Sequence, residues 1–585
     1  IKDRLFLEQT AQYRYSAADV PSLPQNLLRI SKSFSAFTRL DANVSRSHSL
    51  VAAGGLFPSV SNDATLGTFT PPEATVNLHA HANQSSVTER SLWTDWLFGE
   101  TTAQMHAYGT DVLPQGSAVM QVQPQTTLGN FFNQQRRDSG VYQAIESLSG
   151  ARKSPGGLHV FKMGLDVLHS QYDGSSLSRP MLIERSDGTL ARRLDFPAAP
   201  TAQSVGSTDV ALFAQDRFET STRWYLEFGV RLDRDGVVDR VNVTPRAGAA
   251  VLLNASGNAV LRGGFGLFYE RTPSVAGTFD EFESAVDTRF ARDGVTPAGP
   301  PVLFVHATDS ALKTPRSRSW DINYDHRLNK MWALHLGGID RQGSHELIVN
   351  PVRTGTAGEL LLSSSGRSSY RGAEVGVRFT RGTLVDLNVS YARSVARADL
   401  NALTNYFSTI LWPVVGVNAY APASGDVPHR LLARGRLIDV AMAPARRFRL
   451  AQWSAVLRRQ RDARLRRSAK QLALPDVRAP RGRRRASLQD PQISAVDWRA
   501  RMERAQFVHP HRRPGESRLS FVRVVLQLRV SPIPDPGAIR TLVERAKSGL
   551  ATVLDRRVFV CLCVLAASIA AGAPAIADLR VDRLQ

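Results

Sequence analysis

The chain has 585 residues, 43% of them hydrophobic, and 73 Lys+Arg against 52 Asp+Glu give it a formal net charge of +21. That length suits two to four ordinary domains or one large barrel, and two cysteines, Cys561 and Cys563, are too few for a disulfide scaffold. From Ala445 onward lie 30 of the basic residues but only 11 of the acidic ones, so the first 444 residues are nearly neutral and the basic character belongs to the tail.

In chain order, Ile1 to Tyr15 alternates over its second half and predicts a strand, for which an ordinary edge strand is the plainer alternative to a barrel strand. Phe34 to Phe57 reads as a hairpin, with Ala36, Leu40, Ala42 and Val44 opposed to Phe37, Arg39, Asp41 and Asn43, and a turn over Ser45 to His48. Pro58 to Val76, rich in Ser, Thr, Pro and Gly, predicts a surface loop. Less regular strands are predicted at Ser91 to Tyr108 and Leu158 to His169. The Asp-Gly pairs in YDGSS (172–176) and RSDGT (185–189) predict turns.

The strongest pattern runs from Asp209 to Arg271. Trp224, Leu226, Phe228, Val230 and Leu232 fall on one parity, Tyr225, Glu227, Gly229, Arg231 and Asp233 on the other. Pro245, Ala247, Ala249, Val251 and Leu253 likewise oppose Arg246, Gly248 and Ala250. After the polar link Asn254 to Asn258, Leu261, Phe265, Leu267 and Tyr269 oppose Arg262, Gly264 and Gly266. About ten residues is the length a tilted strand needs to cross a bilayer, with alternate side chains in lipid and in a wet lumen. Trp224, Leu226, Phe228, Val230, Leu232, Leu261, Phe265 and Leu267 are therefore expected to face lipid, and Glu227, Arg231, Arg246 and Arg262 the lumen. Trp224 and Tyr269 stand at strand ends, where an interfacial aromatic girdle belongs. The fold class expected is all-β: an antiparallel transmembrane β-barrel, incomplete, with an irregular or disordered Arg-rich C-terminal tail. Thr272 to Pro315 is read as a long extracellular loop and Asn350 to Gly366 as a shorter one.

These stretches also carry a resemblance. ALFAQDRF, WYLEFGVRLD, TPRAGAAV and AVLRGGFGLFYER, followed in order by RSWDINYDHRL with MWALHLGGIDRQGSHEL, SSYRGAEVGVRF with VDLNVSYARS, and DVPHR at Asp426 to Arg430, resemble the barrel of TonB-dependent outer-membrane receptors. The group resembled most is the one with an N-terminal carboxypeptidase-regulatory-like domain. The resemblance covers residues 1–444. It implies an outer-membrane receptor that takes up a ligand with energy from the TonB complex, in contact with outer-membrane lipid. No plug or TonB box is recognisable, the ligand is not readable, and no signal peptide precedes Ile1, so the natural start is placed upstream and a partial or defective copy is expected.

From Ala445 the text changes: two Lys stand against 28 Arg, and Asn and Tyr vanish. Residues 445–557 form an Arg-rich tail with the charge runs RRQRDARLRRSAK and APRGRRRAS, read as out-of-frame text from a GC-rich gene. Residues 558–577 follow Arg556-Arg557 as an apolar run ending in Ala575-Ile576-Ala577, a signal-like or transmembrane-like segment.

No enzyme motif emerges. Gly263, Gly264 and Gly266 lack the third glycine and following helix of a phosphate loop. His79 with His81 and His509 with His511 have no third ligand nearby, and surface histidines are the simpler reading. Carboxylates such as Glu227, Asp233, Glu270 and Asp321 read as solvated lumen wall. No cofactor or metal is expected. Two other functions compete with transport: a nucleic-acid binder using the tail, which offers salt-sensitive phosphate contacts but no specific binding fold, and a structural or adhesive barrel without transport.

Overall fold

The computed structural model describes residues 4–438 apart from 21, 25, 383–384, 409 and 412–413, together with three short strands further on. The chain divides into two compact units, Ile1–Thr380 with Asn388–Leu432, and Arg381–Leu387 with Ala433–Gln585.

The first unit is built on long strands: β1 (Leu5–Asp19), β2 (Leu28–Asn43), β3 (His48–Leu56), β4 (Val76–Thr94), β5 (Leu97–Pro114), β6 (Asn133–Ser154), β7 (Gly157–Ser178), β8 (Thr201–Ser221), β9 (Trp224–Asp235), β10 (Arg240–Leu252), β11 (Ala259–Tyr269), β12 (Arg316–Arg327), β13 (Trp332–Thr354) and β14 (Ala357–Arg381). Each pairs antiparallel with the next. β15 (Val385–Asp399) follows. This is the up-and-down wall of an all-β transmembrane barrel.

The two ends of the wall differ. At one, the strands join through tight turns at 44–47, 95–96, 155–156, 222–223, 253–258 and 328–331; at the other, most are joined by long links at 57–75, 115–132, 179–200 and 270–315. The links fold on one another. Their short strands Thr127–Leu128, Met120–Val122, Met181–Glu184, Leu190–Asp195, Ala285–Arg289 and Val302–Thr308 pair in that order into a branch of the sheet. Its last strand runs parallel to the start of β14.

The apolar cores lie between this link layer and the link-end tips of β4, β5, β13 and β14. One gathers Val76, Val112, Met120, Phe131, Phe132, Met181 and Leu194, and the other Ala276, Phe279, Leu347, Val349, Leu362 and Leu403. The wall instead exposes large apolar side chains, Phe228 at 57% and Phe265 at 53% among them, the reverse of a protein that folds in water.

Several expectations need correction. Asp173-Gly174 is not a turn: it sits inside β7, laddered to β6 on one side and β8 on the other. Two complete ladders outweigh the local preference of the dipeptide for a turn. The strand expected over Ser91 to Tyr108 is two strands, β4 and β5, reversing at Asp95–Trp96. Asn350 to Gly366 is not a loop but the tip of the β13–β14 hairpin, which turns at Gly355 (φ 65°). Strands also exceed the roughly ten residues that a crossing needs, reaching 23 in β13 and 25 in β14, because at the link end they run on past the length that crosses a bilayer. Pro58 to Val76 contains the short strand Ser59–Asn62, and Thr272 to Pro315 contains Ala285–Arg289 and Val302–Thr308. RSDGT turns as expected, with Gly188 at φ 81°.

In the second unit, Leu450–Arg458 runs parallel to Phe521–Arg529, which pairs antiparallel with Asp578–Asp582. The first two lie in the tail read as irregular, yet both alternate in sequence, as Val522, Val524, Leu526 and Leu528 do against Arg523, Gln527 and Arg529. The rest of the tail, including the charge runs, all of 558–577 with the cysteines, His509 and His511, lies outside the described residues.

Candidate functional site

Register fixes which side chains share a face, since directly paired residues point the same way. Phe228 stands opposite Ala247, Ala247 opposite Phe265, and Phe265 opposite Trp320. On this face Trp224, Phe228, Val230, Leu232 and Phe265 are 40–57% exposed, while Leu226, Leu261 and Leu267 are half-buried.

The opposite face is polar and cross-linked. Gln104 Nε2 on β5 donates to Gln143 Oε1 on β6 at 2.6 Å, and Gln143 Nε2 donates to Asp166 Oδ1 on β7 at 2.7 Å. Arg231 on β9 donates to Asp166 Oδ2 at 3.0 Å and, through Nε, to Asp233 Oδ1 at 2.6 Å. One chain of contacts thus spans three neighbouring strands, β5 to β7, and the next but one, β9. Arg262 pairs with Asp325, which also holds His335 Nδ1 at 2.8 Å. Arg271 reaches Asp209 at 2.7 Å.

Two cavities open on this face. One of about 260 Å³ is lined by Asp166, Asp209, Arg231, Asp233, Arg246 and Phe268, and one of about 550 Å³ by Glu227, Arg246, Arg262, Phe268, Asp321 and His335. All four residues expected to face the lumen therefore line one cavity or the other. Arg246 belongs to both, and its Nε is buried without a hydrogen-bond partner. Sequence reading missed Gln104, Gln143 and Asp166, whose strands alternate less cleanly. It also missed Phe268, an aromatic on the polar parity whose only signal was its odd spacing from Phe265.

The link layer adds an aromatic pocket. Phe279, fully buried, meets His306 with ring centroids 5.0 Å apart, and Tyr406 and Phe407 at 5.9 and 6.0 Å. His306 Nε2 lies 2.5 Å from the Tyr406 hydroxyl. Burial pushes the His306 imidazole down to about 4, so it is neutral at pH 7. Burial likewise raises Glu283 above the ordinary carboxylate range, although the Ser178 backbone N–H donates to it at 3.0 Å. Among the described residues, no three His, Cys, Asp or Glu side chains are placed to hold a metal. His81 faces Asp138 at 3.8 Å instead.

A family model described as TonB dependent receptor-like, beta-barrel matches residues 33–413. The chain belongs to the TonB-dependent receptor β-barrel family. Receptors of this family are outer-membrane proteins, and this one lies in the outer membrane. Among solved structures, the outer membrane transporter YddB of Escherichia coli aligns with a TM-score of 0.54 and 12% identity, over 74% of this chain and 59% of that one. The ferripyoverdine receptor of the Pseudomonas aeruginosa outer membrane, bound to ferripyoverdine, aligns with a TM-score of 0.51 and 10% identity, over 76% and 56%. At such identities the likeness establishes the fold, and the chain spans less than two thirds of either protein. No curated protein matches it.

Proposed function

We propose that this TonB-dependent receptor barrel takes up a ligand across the outer membrane, driven by the TonB complex, with the ligand captured at the link end. The observation that carries the reading is the asymmetry of the wall. One face bears a cross-linked row of Gln104, Gln143, Asp166, Arg231 and Asp233, suited to water, and the other bears exposed Phe, Val and Leu suited to lipid. In this reading Trp224, Leu226, Phe228, Val230, Leu232, Leu261, Phe265 and Leu267 face lipid, and Glu227, Arg231, Arg246 and Arg262 face the lumen. Charges of both signs in the cavities fit a polar ligand.

The test is to express the gene encoding this barrel in hosts with and without TonB and follow solutes in the medium by mass spectrometry. At least one solute should be depleted only when TonB is present. Equal depletion in both hosts would favour a barrel without energised transport.

A further inference from the structure

The face of the wall that carries Phe228 and Phe265 does not stay apolar. Following the register across β11 to β14, Phe265 stands opposite Trp320, Trp320 opposite Asp340, and Asp340 opposite Arg371. Two residues nearer the link end, Leu267, Arg318, Gln342 and Ser369 stand in the next row. Tyr420, from the link after β15, places its hydroxyl 2.6 Å from Ser369 Oγ, on the same face. Two guanidiniums share its ring: Arg367 at 4.6 Å and Arg397 at 5.1 Å from the centroid.

All four arginines, 318, 367, 371 and 397, are exposed, and each is held in place. Arg318 forks onto Gln342 Oε1 at 3.2 and 2.5 Å. Arg371 Nε donates to Asp340 at 2.6 Å, and Arg397 donates to the Tyr420 carbonyl at 3.3 Å. Among the described residues, Asp340 is the single carboxylate that pairs with any of them. The nearby Asp399 is buried and already accepts from the Arg367 backbone N–H at 2.7 Å and from Asn418 Nδ2 at 2.8 Å. Arg367 and Arg397 are therefore two like charges on one ring with no side-chain anion between them, an arrangement that an external anion would relieve.

The height of the cluster identifies the anion. Arg318 and Arg371 lie about ten residues along their strands from the tight turns, which is one bilayer crossing. They sit where the apolar band of Phe265, Trp320 and Ile322, the last two each 49% exposed, gives way to charge. Lipid headgroups occupy that level, with acyl chains against the band below.

We propose that Arg367 and Arg397, which share the Tyr420 ring, together with Arg318 and Arg371 on the adjoining rows, bind the phosphate of an outer-leaflet lipid. The proposal rests on the lipid-facing assignment above, which insertion of a Phe228→Arg variant tests separately.

The experiment uses the full chain folded in detergent, with lipid A as probe and native mass spectrometry or a thermal shift as readout. Parallel arms use dephosphorylated lipid A and inorganic phosphate. Each basic residue near an anionic lipid surface contributes about fivefold in affinity, so the double variant Arg367→Gln with Arg397→Gln should bind lipid A about 25-fold more weakly. Arg262→Gln, on the opposite face, should bind as the parent does. Heat-modified gel mobility shows that each variant has folded. Undiminished binding by the folded double variant, or equal binding of dephosphorylated lipid A, overturns the proposal. Tight binding of inorganic phosphate with no preference for the lipid also overturns it, as that describes a small-anion site.

Discussion

At the scale of single residues, His306 is the most consequential group in the link layer. Its folded value of about 4 lies below the ordinary 6.5, so the unfolded layer binds the extra proton. The stability it contributes is complete above pH 6.5 and is lost as pH falls from there towards 4, to an extent on the order of 3 kcal/mol. Glu283, raised by burial, works in the opposite sense, since its folded form holds a proton that the unfolded form releases first as pH rises. The two are separable by mutation. Protection factors for hydrogen exchange at 274–281 and 403–407, taken relative to the intrinsic rate at each pH, should fall between pH 6.5 and 4 in the parent and change little in His306→Gln. An identical acid response in that variant would mean that another group controls the layer. Gly129 offers a second check: at φ 72° its missing Cβ would overlap the Val119 carbonyl. Gly129→Ala should cost about 1 kcal/mol or more, seen as earlier urea melting of the layer.

At the scale of elements, the alternation of β9 to β11 has a mechanical consequence. Slipping one residue would exchange every lumen side chain for a lipid one. Phe228→Arg near the bilayer midplane should cost roughly 2–4 kcal/mol, and Glu227→Gln, beside the larger cavity, very little. Equal losses on refolding into bilayers would contradict the facing. These strands were legible in the sequence because both parities are strict, and Arg231, Arg246 and Arg262 share one face along the two cavities. Elsewhere local signals misled. Asp173-Gly174 has the composition of a turn but lies between two full ladders, and Ser91 to Tyr108 conceals a reversal at Asp95–Trp96 that no glycine marks. The polar chain through Gln104, Gln143 and Asp166 could not be read at all, because it depends on the register between three strands. The arginine pair on Tyr420, with Arg318 and Arg371 beside it, was hidden for the same reason: the members lie on β12, β14, β15 and a link.

At the scale of the whole described unit, two kinds of stability meet. The wall is held by antiparallel ladders, and in the proposed facing its apolar side meets lipid rather than a packed interior. The link layer is held by a short run of paired strands and by two small apolar cores that it shares with the link-end tips of β4, β5, β13 and β14. Below those shared tips the wall should fail independently of the layer. Phe279 tests this best, being fully buried at the centre of the second core and touching His306, Tyr406 and Phe407. Truncation to alanine removes a ring from a packed site, a loss of about 3–5 kcal/mol. That is enough to open a layer supported by so few buried side chains. Phe279→Ala should raise hydrogen exchange at 274–281, 302–308 and 403–407. Residues 224–235 and 259–269 should stay protected, and the gel mobility of the folded barrel should not change. Ligand capture at the link end should weaken in the same variant, because a layer that opens and closes offers its polar groups in no fixed arrangement. If protection falls equally in the wall and the layer, the two form one cooperative unit, and the links are part of what holds the barrel together.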